Sequence, residues 1–378
     1  MLDVDTMDFI PVNKPLLGEE ETSEIKKIIQ SGALTHKEGK GTYVLKFEKS
    51  FAKFIGTKHA IAVNSGTAAL HSTLLALDLK PNDEVIVPTF TFVATAEVIL
   101  HIGCKVVFTD INPRTFNIDL SNIKKKLTDN TKAIIPVHLY GHPVDLNPIL
   151  DYAKDKGIFV IEDVAQAHGA KYYGKMAGSL GDFGCFSFYP SKNMTTGEGG
   201  MITTNNSEFA EKLRMIRNHG ESEEYKTVIL GHNFRMPELS AAIGVIQLRK
   251  LNDFLINRTI NANILNKALQ DVKTINIPIV EKWATHAWYL YTTTLKNPKK
   301  RKDLVEKLRK ENIGTGIYYS TPLHLMPLLK DLYGFKGREF PISEDASKSV
   351  LSLPVYPGIN KEQMEFIANK IHEMCINL

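Results

Sequence analysis

The segment Ile161–Thr204, IEDVAQAHGAKYYGKMAGSLGDFGCFSFYPSKNMTTGEGGMITT, holds the residues best able to do chemistry. An acidic pair, Glu162–Asp163, ends an apolar run that reads as a buried strand, and Gln166 follows three residues after Asp163. Ser187 sits in a second, aromatic strand, Lys192 lies five residues beyond it, and a glycine-rich turn, Gly197–Gly200, leads into another strand. In an open α/β sheet, groups at the carboxyl ends of strands converge on one crevice, so an Asp, a Ser and a Lys from two strand ends can share a pocket. A lysine amine can form a Schiff base with an aldehyde. A carboxylate can keep a pyridinium nitrogen protonated. Backbone N–H groups at a helix start, helped by hydroxyls, can hold a phosphate. Asn64-Ser65-Gly66-Thr67 supplies this last part, between an apolar run and a helical stripe that starts at Leu70. The cofactor that needs all three is pyridoxal 5'-phosphate.

Two other patterns carry no such weight. Gly169 to Lys175 fits the start of a phosphate-binding GxxxxGK loop, but the next residue is Met176, so the metal-holding hydroxyl is missing. Lys171 and two tyrosines also fill the loop, which reads as a surface hairpin. His138, His142, His168 and His324 match no metal-ligand spacing, and no metal is expected.

These groups must be placed by regular elements. Seven short runs rich in Val, Ile and Phe read as strands: Ala60–Val63, Glu84–Val87, Lys105–Phe108, Ala133–Val137, Phe159–Glu162, Cys185–Phe188 and Met201–Thr203. Amphipathic stretches lie between them, as in Thr67–Leu77, where Leu70, Leu74 and Leu77 follow helical spacing. Strands alternating with helices predict an α/β domain around a mostly parallel sheet. From Pro237 a long helix is expected to about Leu255, then charged helical segments such as Lys302–Lys310 and strands such as Tyr289–Leu295. The expected division is a large domain over 1–250, with an N-terminal arm, and a small α+β domain over 251–378, joined by the long helix.

Composition excludes several classes. The 378 residues carry 46 Lys plus Arg against 42 Asp plus Glu, a net charge of +4, too weak to imply nucleic acid or an anionic membrane. The start, MLDVDTMDFI, is acidic and unlike a signal peptide. The most apolar long window, Glu84–Gly103, is interrupted by Pro88, Glu97 and His101 and cannot be a membrane span. Cys104, Cys185 and Cys375 are odd in number and far apart, which fits a reducing cytoplasm.

The chain resembles the DegT/DnrJ/EryC1/StrS family of pyridoxal-phosphate-dependent sugar aminotransferases. The markers are NSGTAAL at 64–70, PTFTFVATA at 88–96, PVHLYGHPVDL at 136–146, EDVAQAHGA at 162–170, GDFGCFSFYPSKN at 181–193, GEGG at 197–200 and GHNFRMPELSAAIG at 231–244. The resemblance implies a type I aminotransferase fold with a mostly parallel seven-stranded sheet, and a homodimer with active sites at the subunit interface. It implies that Lys192 is the Schiff-base lysine and proton shuttle, that Asp163 pairs with the ring nitrogen, and that Gln166 lies by the ring hydroxyl. Phe92 would stack on the ring, while Ser65, Gly66, Thr67 and Ser187 hold the phosphate. Asn233 would reach the phosphate of the other subunit, and Arg235 is a candidate clamp for the donor's carboxylate, since a guanidinium fork matches it. Tyr318 and His324, in a proline-containing loop, either touch the nucleotide-sugar or serve ordinary loop packing.

A branch of the family with histidine in place of the lysine performs dehydration, so Lys192 favours transamination. The expected donor is an amino acid, glutamate by family analogy, and the acceptor a keto-sugar nucleotide. The GEGG turn looks closer to members that aminate a 4-keto sugar than the GDGG form of many 3-keto members. The alternatives are a keto-cyclitol or aminoshikimate-type acceptor, and a non-catalytic regulator on the same scaffold.

Overall fold

The computed structural model describes residues 8–376. The first seven residues, most of the acidic start discussed above, and the last two lie outside it. All seven expected strands form one sheet: β1 (His59–Val63), β2 (Glu84–Pro88), β3 (Lys105–Thr109), β4 (Thr131–Ile134), β5 (Phe159–Asp163), β6 (Phe183–Ser187) and β7 (Gly200–Thr204). The spatial order is β1-β7-β6-β5-β4-β2-β3. The pairs β2–β3, β2–β4, β4–β5 and β5–β6 are parallel, and β7 runs antiparallel to β1 and β6. The strands are buried throughout or nearly so, as a sheet covered on both faces requires.

β4 ends at Ile134, short of the expected Val137. Pro136 has no N–H for the ladder, and the chain rejoins β5 only as a single Val137–Asp163 bridge. The departure helps the site, because it turns the chain away at the end of β5 where Asp163 sits.

The segment around Gly174 forms the expected hairpin, Lys171–Tyr172 against Lys175–Met176, with left-handed Tyr173 and Gly174 at its tip. The three cysteines are free and buried.

The long helix is Glu238–Leu269, 32 residues, and runs well past Leu255, where the sequence suggested that it would end. Its first part packs Ala241, Val245, Leu248 and Leu251 with Phe47, Phe51, Phe186 and Phe188 against one face of the sheet. Its last part puts Ala262, Leu265 and Leu269 into a separate core. That second core is built on a small antiparallel sheet of Ile275–Asn276, Tyr291–Leu295 and Val350–Leu353 and on helices Arg301–Lys310 and Lys361–Ile376. Among the described residues no helix is long and apolar enough to cross a membrane.

Candidate active site

At the carboxyl ends of β5 and β6 the chain opens a cavity of about 570 Å³. Nine of the candidate residues line it: Ser65, Gly66, Thr67, Phe92, Asp163, Gln166, Ser187, Lys192 and Tyr318. They come from five separate stretches of sequence, which the fold brings together.

The anion cradle is the turn from β1 into the helix Gly66–Ala76. Ser65 is its N-cap in extended conformation, and its hydroxyl oxygen accepts the N–H of Ala68 at 3.0 Å. The first helical N–H groups lack partners within the helix and carry partial positive charge. Ser187, the last residue of β6, faces this turn so closely that a Cβ on Gly66 would lie 2.7 Å from the Ser187 Cβ. Only glycine permits the approach. Gly200 is equally constrained, since a Cβ there would meet the Ser65 carbonyl oxygen at 2.2 Å.

Asp163 ends β5 and is 4% exposed. One carboxylate oxygen accepts the Thr95 hydroxyl at 2.9 Å and the other the Ala165 N–H at 3.1 Å. Burial pushes its carboxyl above the ordinary value, against the opposing pull of the Ala165 N–H, the Thr95 hydroxyl and the Lys192 charge. A buried carboxylate with lone pairs left over is suited to a cationic N–H partner.

Gln166 is fixed from both ends: its oxygen accepts the Tyr140 N–H at 2.9 Å and its amide donates to the Tyr319 hydroxyl at 3.0 Å. Lys192 follows β6 in a loop, and its ammonium lies 4.8 Å from the centre of the Tyr289 ring. Phe92 is 55% exposed, an apolar face left open towards the cavity, with its ring centre 6.4 Å from that of Tyr319.

Three candidates are not brought into this cavity within one chain. Asn233 is exposed, although its backbone lies beside Asn64, whose side chain donates to the Asn233 carbonyl at 3.4 Å. Arg235 donates to the Asn218 side chain at 2.7 Å. His324 is fully buried, with Nδ1 2.7 Å from the Thr89 hydroxyl, and it tethers its loop to the end of β2 instead of facing the cavity. Its Nε2, Glu339 and Glu344 form a cluster of ligand-type atoms within 4.8 Å of one another. The carboxylates there accept the N–H groups of Lys336, Gly337 and Arg338, which explains them as turn-holding groups.

The structure adds residues to the wall that sequence spacing did not suggest: Thr91, Thr95, Tyr189, Ser191, Glu198, Tyr289 and Tyr319. Thr95 lies within the PTFTFVATA stretch, and Glu198 is the acidic residue of the GEGG turn. Tyr289 and Tyr319 lie about 100 residues and more beyond Lys192, in segments without a local signal.

The residues present fit pyridoxal phosphate. The cradle of Ser65, Gly66, Thr67 and Ser187 at a helix start would take the phosphate, Asp163 the ring nitrogen, and Lys192 the aldehyde carbon. The chain is 35% identical to GDP-perosamine synthase of Escherichia coli O157:H7, over 97% of this chain and 99% of that protein. It is 38% identical to a UDP-N-acetyl-3-dehydro-alpha-D-glucosamine 3-aminotransferase of Acidithiobacillus ferrooxidans, over 86% of each. The structure superposes on DesV of S. venezuelae, solved with a ketimine intermediate, with a TM-score of 0.90 at 32% identity over 97% of this chain and 99% of that one. Residues 15–372 match the model of the DegT/DnrJ/EryC1/StrS aminotransferase family, and the chain therefore belongs to that family of pyridoxal-phosphate-dependent sugar aminotransferases.

Proposed function

We propose that the chain moves an amino group from an amino acid, glutamate, to the keto group of a nucleotide-sugar, at C4 in preference to C3, for amino-sugar biosynthesis. The observation that carries the reading is the convergence of Asp163, Lys192, Ser187 and the Ser65–Thr67 turn on one cavity. The C4 preference is supported by the GEGG turn alone, whose Glu198 reaches the cavity wall.

When bound, pyridoxal phosphate supplies a ring that takes up the electrons released as the donor's Cα–H bond breaks. Lys192 Nζ takes that proton and returns it on the other side of the transfer, acting as base and then acid. Asp163 holds the proton on the ring nitrogen, and its burial strengthens that interaction by excluding water. Ser65, Gly66, Thr67 and Ser187 hold the phosphate, and Phe92 covers a ring face. Arg235 and Tyr318 are assigned to substrate, and His324 to the loop that carries Tyr318.

The working unit in this reading is a homodimer. Asn233 is exposed on its own chain and adjoins the phosphate turn, a placement that suits service to the cofactor of a second copy. The chain divides into units at 1–250 and 251–378 in the same reading, and it acts in the cytoplasm.

Purified protein loaded with pyridoxal phosphate is expected to be yellow, and borohydride should fix the cofactor's mass on Lys192. Glutamate should bleach the colour with release of a 2-oxo acid, and Lys192→Ala should lose both properties. A colourless wild-type chain that takes up no cofactor would sink the proposal. Offering 3-keto and 4-keto sugar nucleotides to the aminated enzyme decides the carbon.

A further inference from the structure

Arg258 is an anomaly in the long helix. It is 2% exposed, yet it forms no ion pair with a carboxylate among the described residues. A buried cation without a counter-charge is costly unless its donors are well used. Burial pulls its guanidinium down to about 10, which still leaves it charged at neutral pH.

Its two terminal nitrogens converge on the surroundings of Lys192, while its Nε is buried without a partner among the described residues. One terminal nitrogen donates to the carbonyls of Trp288 at 3.1 Å and Tyr289 at 3.2 Å. The other donates to the side-chain oxygen of Asn13 at 3.3 Å. Asn13 then donates its amide N–H to the carbonyl of Ser191, the residue before Lys192. The Tyr289 hydroxyl is 3.0 Å from the Ser191 hydroxyl, and the Tyr289 ring lies under the Lys192 ammonium. On the other side of Lys192, Asn193 donates to the Ala287 carbonyl at 2.9 Å. The side chains of the residues on both sides of the lysine are thus tied to the segment 287–289, whose Trp288 and Tyr289 carbonyls Arg258 grips, and the Ser191 carbonyl is tied to Arg258 through Asn13.

We propose that Arg258 and Asn13 form a positioning relay for Lys192, in which the N-terminal arm and the long helix aim the lysine into the cavity. The chemistry of the link is directional. A guanidinium only donates and a peptide carbonyl only accepts, so the group between them must accept at one end and donate at the other. An asparagine amide does both, whereas an aspartate serves Arg258 and faces the Ser191 carbonyl with a lone pair.

The inference rests on the reading of Lys192 as the lysine that carries the cofactor, and the test separates the two. Cofactor-free wild type, Asn13→Asp and Asn13→Ala are compared by three measurements. These are the melting temperature, the affinity for pyridoxine 5'-phosphate, which lacks the aldehyde, and the rate at which pyridoxal phosphate becomes borohydride-fixed on Lys192. The expected result for Asn13→Asp is an unchanged or higher melting temperature, because the new carboxylate pairs with Arg258. Its pyridoxine 5'-phosphate affinity should be unchanged and its capture at Lys192 about tenfold slower, the scale expected from misplacing a reacting group. Asn13→Ala should slow capture equally with a lower melting temperature. Capture by Asn13→Asp at the wild-type rate overturns the relay alone. A parallel fall of all three measurements in Asn13→Asp also overturns it, because that marks a merely structural contact. Wild type that takes up pyridoxine phosphate but never becomes fixed at Lys192 overturns the lysine's role and the relay with it.

Discussion

Gly66 shows how little room the phosphate turn leaves. A Cβ there would lie 2.7 Å from the Ser187 Cβ and 3.2 Å from both its Cα and its hydroxyl oxygen. The nearest atoms belong to a strand end and a short side chain, so nothing flexible can yield. Gly66→Ala should therefore push the helix start and Ser187 apart and spoil both as anion ligands. Overpacking of this kind costs about 1–3 kcal/mol. If that cost falls on the cofactor-bound geometry, pyridoxal phosphate affinity drops by roughly fivefold to 150-fold. Equilibrium dialysis of wild type and Gly66→Ala checks it, and equal affinities would mean that this turn does not hold the phosphate.

The elements hold one another through a few buried polar ends, and Glu238 is the clearest of them. It opens the long helix, but its carboxylate accepts the N–H groups of Tyr43 at 2.9 Å and Val44 at 3.0 Å, the free donors that start helix Thr42–Ile55. Glu238→Gln keeps the shape, loses the charge and turns an NH2 group towards one of those donors. The expected cost is about 1–3 kcal/mol for an unpaired buried donor, read as a lower denaturation midpoint with an unchanged slope; an unchanged midpoint would deny the cap. The same elements show what a sequence reveals. The seven strands were legible because each is a short run of Val, Ile and Phe with a breaker nearby, and the phosphate turn and Lys192 loop were legible because each is local. The second half of the long helix was not. Its inward face includes Arg258 and Asn261, and two polar residues there interrupt the apolar stripe that signals a helix. Asn13, Tyr289 and Tyr319 were hidden for another reason: no spacing near Lys192 points to residues brought in from either end of the chain.

At the scale of the whole molecule, the fold stores neutral histidines that bind their protons late. His168 lies between the rings of Phe186 and Phe188, each 5.6 Å away, and burial, aided by the Lys192 charge, holds it down to about 3 from an ordinary 6.5. His286, stacked on Trp288 at 4.0 Å, is displaced in the same direction by burial, and so is His71, down to about 4, with the neighbouring His232 and His101 adding to the effect. In each case the folded value lies below the unfolded one. Between pH 6.5 and about 3 the unfolded chain therefore binds a proton at His168 that the folded chain refuses. Stability from this source is complete above pH 6.5 and is lost as the pH falls, with a slope of about 1.4 kcal/mol per pH unit for one such group. Urea unfolding of the cofactor-free protein at fixed concentration, from pH 6.5 down to pH 5, should show this fall. His168→Phe removes one titrating ring from an aromatic setting, so its slope should be shallower than that of wild type by about 1.4 kcal/mol per pH unit, even if its stability at pH 7 differs. Identical slopes in the two proteins would mean that His168 takes up its proton over the same pH range folded as unfolded, and below that range a buried cation beside Lys192 would have to be counted in the charge of the site.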